Sequence, residues 1–138
     1  LVFALDEALK MMREEGLENI FRRHNKHKLA ISSAMKALDL KLFADENFLS
    51  PSVTSIKTEN FDAESFRKLI KDKYDILLAG GQDNLKGKIF RIGHLGYVND
   101  KDIISVISAV GLTLIQESKI SVEALGEALK KAQIILNQ

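Results

Sequence analysis

The sequence predicts an α+β domain: a small, mostly antiparallel sheet with helices packed on one face. Three observations carry that prediction. Five stretches place apolar residues at steps of three and four, the period of an amphipathic helix. Other, shorter stretches alternate or are rich in β-branched residues, as strands are. Along the chain they run helix, helix, strand, helix, strand, strand, helix, helix, with no internal repeat and no low-complexity segment.

The first helix covers Leu1 to about Glu15, with Leu5, Leu9 and Met12 at helical spacing, and Gly16 ends it. A long amphipathic helix follows on Leu17, Ile20, Phe21, His24, Lys28, Ile31, Met35 and Leu38. The middle of its stripe, His24 and Lys28, is polar. It either faces water or passes between two apolar environments. "LKLFA" (40–44) alternates and suits a short edge strand, and "DENFLSPS" is a loop holding the single proline, Pro51. "SVTSIKT" (52–58) reads as a strand. Asp62 can cap a helix carrying Phe66, Leu69 and Ile70. "DILLAGG" (75–81) is a short apolar strand closed by Gly80 and Gly81, "QDNLKGK" (82–88) a polar loop, and "KIFRIGHL" (88–95) the next strand. Asn99 caps a helix with Ile103, Val106, Ile107, Val110 and Leu114. Ser121 caps a last helix with Val122, Leu125, Leu129, Ala132 and Leu136.

Composition excludes several classes. The 138 residues, 46% of them hydrophobic, suffice for one domain with a real core and are too apolar for disorder. Lys plus Arg is 20 against 19 for Asp plus Glu, a net charge of +1. That balance gives no electrostatic case for nucleic acid or an anionic membrane surface. Without cysteine there is no disulfide and no thiolate metal site, which fits a reducing, cytoplasmic compartment. No apolar run approaches the roughly 20 residues that cross a bilayer. The N-terminus lacks a basic segment, contains Asp6 and Glu7, and begins in mid-pattern without Met. It is not a signal peptide, and the chain is expected to be part of something longer.

The stretch "GKIFRIGHLG" (87–96) raises the main functional question. Side chains alternate along a strand, so Phe90 and Ile92 point one way and Ile89, Arg91 and Gly93 the other. If Phe90 and Ile92 face the core, Arg91 lies on the open face beside a residue without a side chain. A strand-held guanidinium with a vacant neighbour suits bidentate capture of a carboxylate or phosphate. The ordinary alternative is a solvated arginine, since most are exposed. Gly80, Gly81 and Gln82 form a second candidate: paired glycines permit positive φ and close backbone approach to a ligand, though a tight turn is the default. Their spacing is not a dinucleotide fingerprint. His24 and His27 lie three apart on a helix, a spacing that can chelate a metal, but no third ligand stands out and exposed helix residues are the default. No metal site is therefore assigned. His94, just past the strand, could touch a ligand near Arg91 but reads first as structural. Arg22, Arg23, Lys26 and Lys28 form a basic run read as a solvated helix face. No nucleophile–base arrangement and no phosphate loop appears, so no catalytic residue is assigned.

The blocks "EEGLENIFRRH", "SPSVTSIK", "ILLAGGQ" and "GKIFRIGHLG" followed by "NDKDI" resemble the C-terminal part of class V aminotransferases. These are pyridoxal-phosphate enzymes of fold type I, here in the serine–pyruvate or alanine–glyoxylate branch. Some cyanobacterial members carry the label soluble hydrogenase small subunit, although this chain has no cysteine to ligate a metal–sulfur centre. The resemblance covers nearly the whole chain in the family's order. It implies a homodimeric, cytoplasmic parent acting on small amino acids and 2-oxo acids, with residues 1–16 as an interdomain helix and 17–138 as the small substrate-side domain. It maps Arg91 onto the arginine that grips the substrate carboxylate, with Gly80, Gly81 and Gln82 as candidate substrate-proximal backbone. The family's Schiff-base lysine, pyridine-facing aspartate and phosphate loop all lie upstream. The resemblance thus implies no cofactor-binding residue in this chain, pyridoxal 5′-phosphate only in the full-length parent, and no transamination by the fragment alone. The other readings are a non-catalytic small-molecule-binding module and a protein-interaction domain.

Overall fold

The structure is a computed structural model that describes residues 1–138. Helix α1 (Val2–Glu15) leads into α2 (Leu17–Ala37) through Gly16, whose φ of 83° favours glycine. There follow β1 (Lys41–Leu42), β2 (Val53–Lys57), α3 (Ala63–Tyr74), β3 (Ala79–Gly80), β4 (Ile89–Gly93), α4 (Asp100–Gln116) and α5 (Val122–Leu136). Short 3₁₀ turns occupy Glu46–Phe48 and Asp83–Leu85, the second inside the expected polar loop.

The sheet order is β1-β2-β4-β3, and every neighbouring pair is antiparallel. Thr54 lies opposite Ile92 and Ile56 opposite Phe90, which puts these four buried side chains on one face, while the buried Ile89 lies on the other with Arg91. The helices cover that face: Phe66 of α3 stacks on Phe90 with ring centroids 5.3 Å apart. Ile31 and Met35 of α2, Ile107 and Val110 of α4, and Ala128 and Ala132 of α5 complete one continuous core. α2 packs along α5 and α4, and small residues (Ala30, Ala34, Ala128, Ala132) let the helices approach closely.

The caps follow the sequence. The Asp62 carboxylate accepts from the Ser65 N–H at 2.8 Å. Asn99 and Asp102 form a reciprocal capping box, and the Ser121 hydroxyl accepts from Ala124 N–H. Two expectations need correction. The strand expected over 75–81 pairs only at Ala79 and Gly80. Asp75 ends α3 in the left-handed region, and the Leu78 carbonyl, facing away from β4, accepts from Arg67. Exposure is the default for His24 and His27, yet both are buried, by the 94–99 loop and the start of α4, while Lys28 is half-buried. No helix is long and apolar enough to cross a membrane.

Candidate functional site

Arg91 lies on the sheet face away from the helices, as the alternation of β4 requires. Phe90 and Ile92 are buried in the core, while Arg91 is half-buried and Gly93 exposed. Its cross-strand neighbours are Ser55 on β2 and Ala79 on β3, both small. A methyl group built on Gly93 would touch nothing within 4 Å, so the space beside Arg91 is open. The Arg91 Nε–H donates to the Gly80 carbonyl at 2.9 Å. That is its only bond: Nη1 and Nη2 meet no acceptor in the chain, and no carboxylate pairs with the guanidinium. A half-buried arginine with one edge fixed and its two terminal amino groups free is a preset end-on fork for a planar anion.

Gly80 and Gly81 serve this arrangement in a way the sequence did not indicate. Neither has positive φ; that is found at Gly16, Gly87 and Gly96. Their missing side chains are needed for close approach. A Cβ on Gly80 would lie 2.5 Å from Arg67 Nη1 and 2.6 Å from Glu64 Oε1, and one on Gly81 would lie 2.1 Å from the Leu85 carbonyl oxygen. The Gly80 carbonyl holds Arg91, and Gly81 N–H donates to the Ile89 carbonyl. The Gln82 side chain is exposed and bonds nothing, while its carbonyl accepts from Leu85 N–H.

The histidines are structural. His94 is fully buried and shares the core side of the sheet with Ile92, opposite Arg91. Its Nδ1–H donates to the Pro51 carbonyl and its Nε2 accepts from the Thr54 hydroxyl, both at 3.0 Å. Burial pushes its pKa down to about 4 against the opposing bond to Pro51, with the neighbouring His27, His24 and Lys28 charges adding to the decrease. His27, buried, meets Asp100 at 2.8 Å through Nε2. Burial lowers its pKa, outweighing the pull of Asp100. Burial tends to raise the Asp100 pKa, but the bonds from His27 and Lys26 outweigh it and hold the carboxyl low. No group of three or more histidine or acidic side chains is placed to hold a metal.

Two members of the basic run are not solvated either. Arg23 bonds both Glu15 oxygens at 2.6 and 2.9 Å and the carbonyls of Gly96 and Val98, each at 2.9 Å. Lys26 bonds Asp100 and the Leu136 carbonyl. These contacts join α1, α2, the 94–99 loop and the end of α5. Sequence reading also missed Arg67 and Glu64, which pack behind Gly80. Their i, i+3 spacing on α3 signals an ion pair but not its contact with β3.

No family model matches the chain. It is 52% identical over 114 residues to the "Soluble hydrogenase, small subunit" of Synechococcus sp. (strain PCC 6716), a match covering 83% of this chain and 30% of the relative. It is 36% identical over 117 residues to the serine–glyoxylate aminotransferase of Methylorubrum extorquens, covering 83% and 29%. The crystal structure of ureidoglycine–glyoxylate aminotransferase from Bacillus subtilis superposes with a TM-score of 0.90 at 32% identity, over 99% of this chain and 35% of that one. The chain thus spans about a third of the length of the relatives it matches. What aligns is the whole of this fold, helices and antiparallel sheet together: the homologues and structural neighbours of this chain include class V aminotransferases, and its fold matches their C-terminal domain.

Proposed function

We propose that the full-length protein is a pyridoxal-phosphate-dependent aminotransferase for small amino acids and 2-oxo acids, and that this domain supplies Arg91 as the anchor for the substrate carboxylate. The observation that carries the reading is the state of that side chain: half-buried, fixed through Nε, and unmatched by any acid at Nη1 and Nη2. Open space at Gly93 leaves room for a ligand there. The likeness to aminotransferases that act with glyoxylate supports the substrate class, and family likeness alone supports the homodimer.

The residues of this chain do not fit the cofactor on their own. None of its lysines is buried, whereas a lysine that carries such chemistry needs desolvation to lower its pKa. Pyridoxal phosphate supplies an electron sink for amino-group transfer, and its residues are proposed to lie outside this chain. What Arg91 contributes is orientation. Two parallel N–H···O bonds from Nη1 and Nη2 would fix the plane of the substrate carboxylate against the rigid β4, and so fix the direction of the adjacent carbon.

The test is Arg91→Lys in the full-length protein, which keeps charge but loses the fork. It should weaken amino-acid and 2-oxo-acid binding by about 1.5–3 kcal/mol, typical of hydrogen bonds to charged groups. Cofactor content and fold should be nearly unchanged. Normal substrate binding, or concurrent loss of cofactor, would return Arg91 to a structural role and favour a non-catalytic binding or interaction domain.

A further inference from the structure

Arg91 is only as well placed as the carbonyl that holds it. That carbonyl belongs to Gly80, in an edge strand of two residues with one neighbour, β4. So short a ladder is a weak support, since sheet strands usually run to five or six residues. What backs it is a second arginine. Arg67, on α3, donates from Nε to the Leu78 carbonyl at 2.8 Å, just before β3 begins. Its Nη1 meets both oxygens of Glu64, at 2.9 and 2.8 Å. The same pair lies against the Cα of Gly80, so closely that a side chain there would displace the ends of both residues. Arg67 is largely covered, with 21% of its side chain accessible.

We propose that Glu64 and Arg67 are positioning residues for Arg91: the pair braces β3 from the helix side and so fixes the Gly80 carbonyl, which sets the plane of the Arg91 guanidinium. The relay runs Glu64, Arg67, the 78–80 backbone, Arg91. Each link is a bond or a close contact already described. It explains three features together. Residue 80 is glycine without positive φ, because the brace occupies the space of a side chain. The Leu78 carbonyl, which faces away from β4, is satisfied because Arg67 donates to it. Arg91 keeps both terminal amino groups free, because its Nε alone is bonded. Glu64 fixes the rotamer of Arg67. As a partly exposed pair the two add little stability of their own, so their effect is geometric. The role of the relay in substrate binding rests on the carboxylate-anchor reading. Its structural part does not.

Two measurements test it. Nitrogen-edited NMR on the chain reads hydrogen exchange at Arg91 Nε–H, which the Gly80 carbonyl should protect. Arg67→Met and Glu64→Gln should accelerate that exchange, and Gly80→Ala should do the same by displacing the brace. Kinetics on the full-length enzyme should show KM for both substrates rising on the order of tenfold in Arg67→Met, the size expected when a binding group is misplaced, with a smaller change in kcat and an unchanged melting midpoint. Glu64→Gln, the mildest change, should show the same pattern more weakly. Unchanged Nε–H exchange in both Arg67→Met and Glu64→Gln overturns the brace, whatever Arg91→Lys does. If exchange responds but Arg91→Lys leaves substrate binding intact, the brace stands and the carboxylate reading falls. If Arg91→Lys weakens binding while Arg67→Met leaves both exchange and KM alone, Arg91 binds substrate without help from α3.

Discussion

His94 shows how a buried polar side chain ties a fold to pH. With both ring nitrogens bonded, to Pro51 and Thr54, the neutral ring is the form the core accepts. Its folded pKa is pushed down to about 4, while in the unfolded chain it returns to the ordinary value near 6.5. Between those values the unfolded state binds more protons, so stability rises with pH across the window and is lost as pH falls from about 6.5 toward about 4. His27, also lowered chiefly by burial, acts in the same direction. Each pKa unit is worth about 1.4 kcal/mol, so the chain should lose a few kcal/mol between pH 7 and pH 4.5. Denaturant midpoints over that range measure it. His94→Gln should flatten the slope while lowering stability at pH 7, where Pro51 and Thr54 lose their partner. A wild-type midpoint independent of pH between 7 and 4.5 would contradict this account of the buried ring.

Helix α1 is held by its end, not by its face. None of its residues is buried, and its firmest tie is Arg23 of α2, which gathers Glu15 and the carbonyls of Gly96 and Val98. One guanidinium thus joins a helix end, the next helix and the loop after β4. Such junctions respond to truncation locally, because free energies of opening differ among parts of a fold. Arg23→Met should speed backbone hydrogen exchange in residues 2–15 and 95–98. Exchange in α2, α4 and α5 beyond the junction should be nearly unchanged, since the bonds of Arg23 reach Glu15, Gly96 and Val98. Uniform acceleration through the core would show that the clamp supports the whole domain.

The molecule as a whole has two unlike surfaces. Its core is closed by the sheet on one side and by α2, α3, α4 and α5 on the other, yet α1 presents Phe3 at 91% exposure with Leu1, Val2 and Leu5 beside it, and Leu95 and Tyr97 lie open near the helix's other end. Leu1, Val2, Phe3 and Leu5 all point away from the core. We propose that residues 1–16, which hold α1, form an interdomain helix whose apolar side another part of a longer protein would cover. An exposed apolar patch of this kind promotes association. The chain on its own should self-associate as its concentration rises, and Phe3→Glu with Leu5→Lys should return it to a monomer with an unchanged melting midpoint. Sedimentation at several concentrations checks both. A wild-type monomer at every concentration would remove the support for a covered face.

The sequence by itself determined the fold class, the helix caps at Asp62, Asn99 and Ser121, and the side of the sheet on which Arg91 lies. All of these depend on residues within a few positions of one another, where the periods of helix and strand and the chemistry of a cap act directly. It did not show that His24 and His27 are buried, that Arg23 and Lys26 are clamps, or that Gly80 is a glycine because Arg67 lies against it. Those features join residues far apart in the chain: His27 meets Asp100 across 73 positions and Arg23 meets Val98 across 75. A polar side chain on a helix reads as solvated until something packs over it, and what packs over it is set by how helices and loops are brought together in space. Arg91 stands between the two cases. Alternation along β4 aimed it, but only the tertiary structure decided that its Nε would be bound at Gly80 and its two amino groups left free.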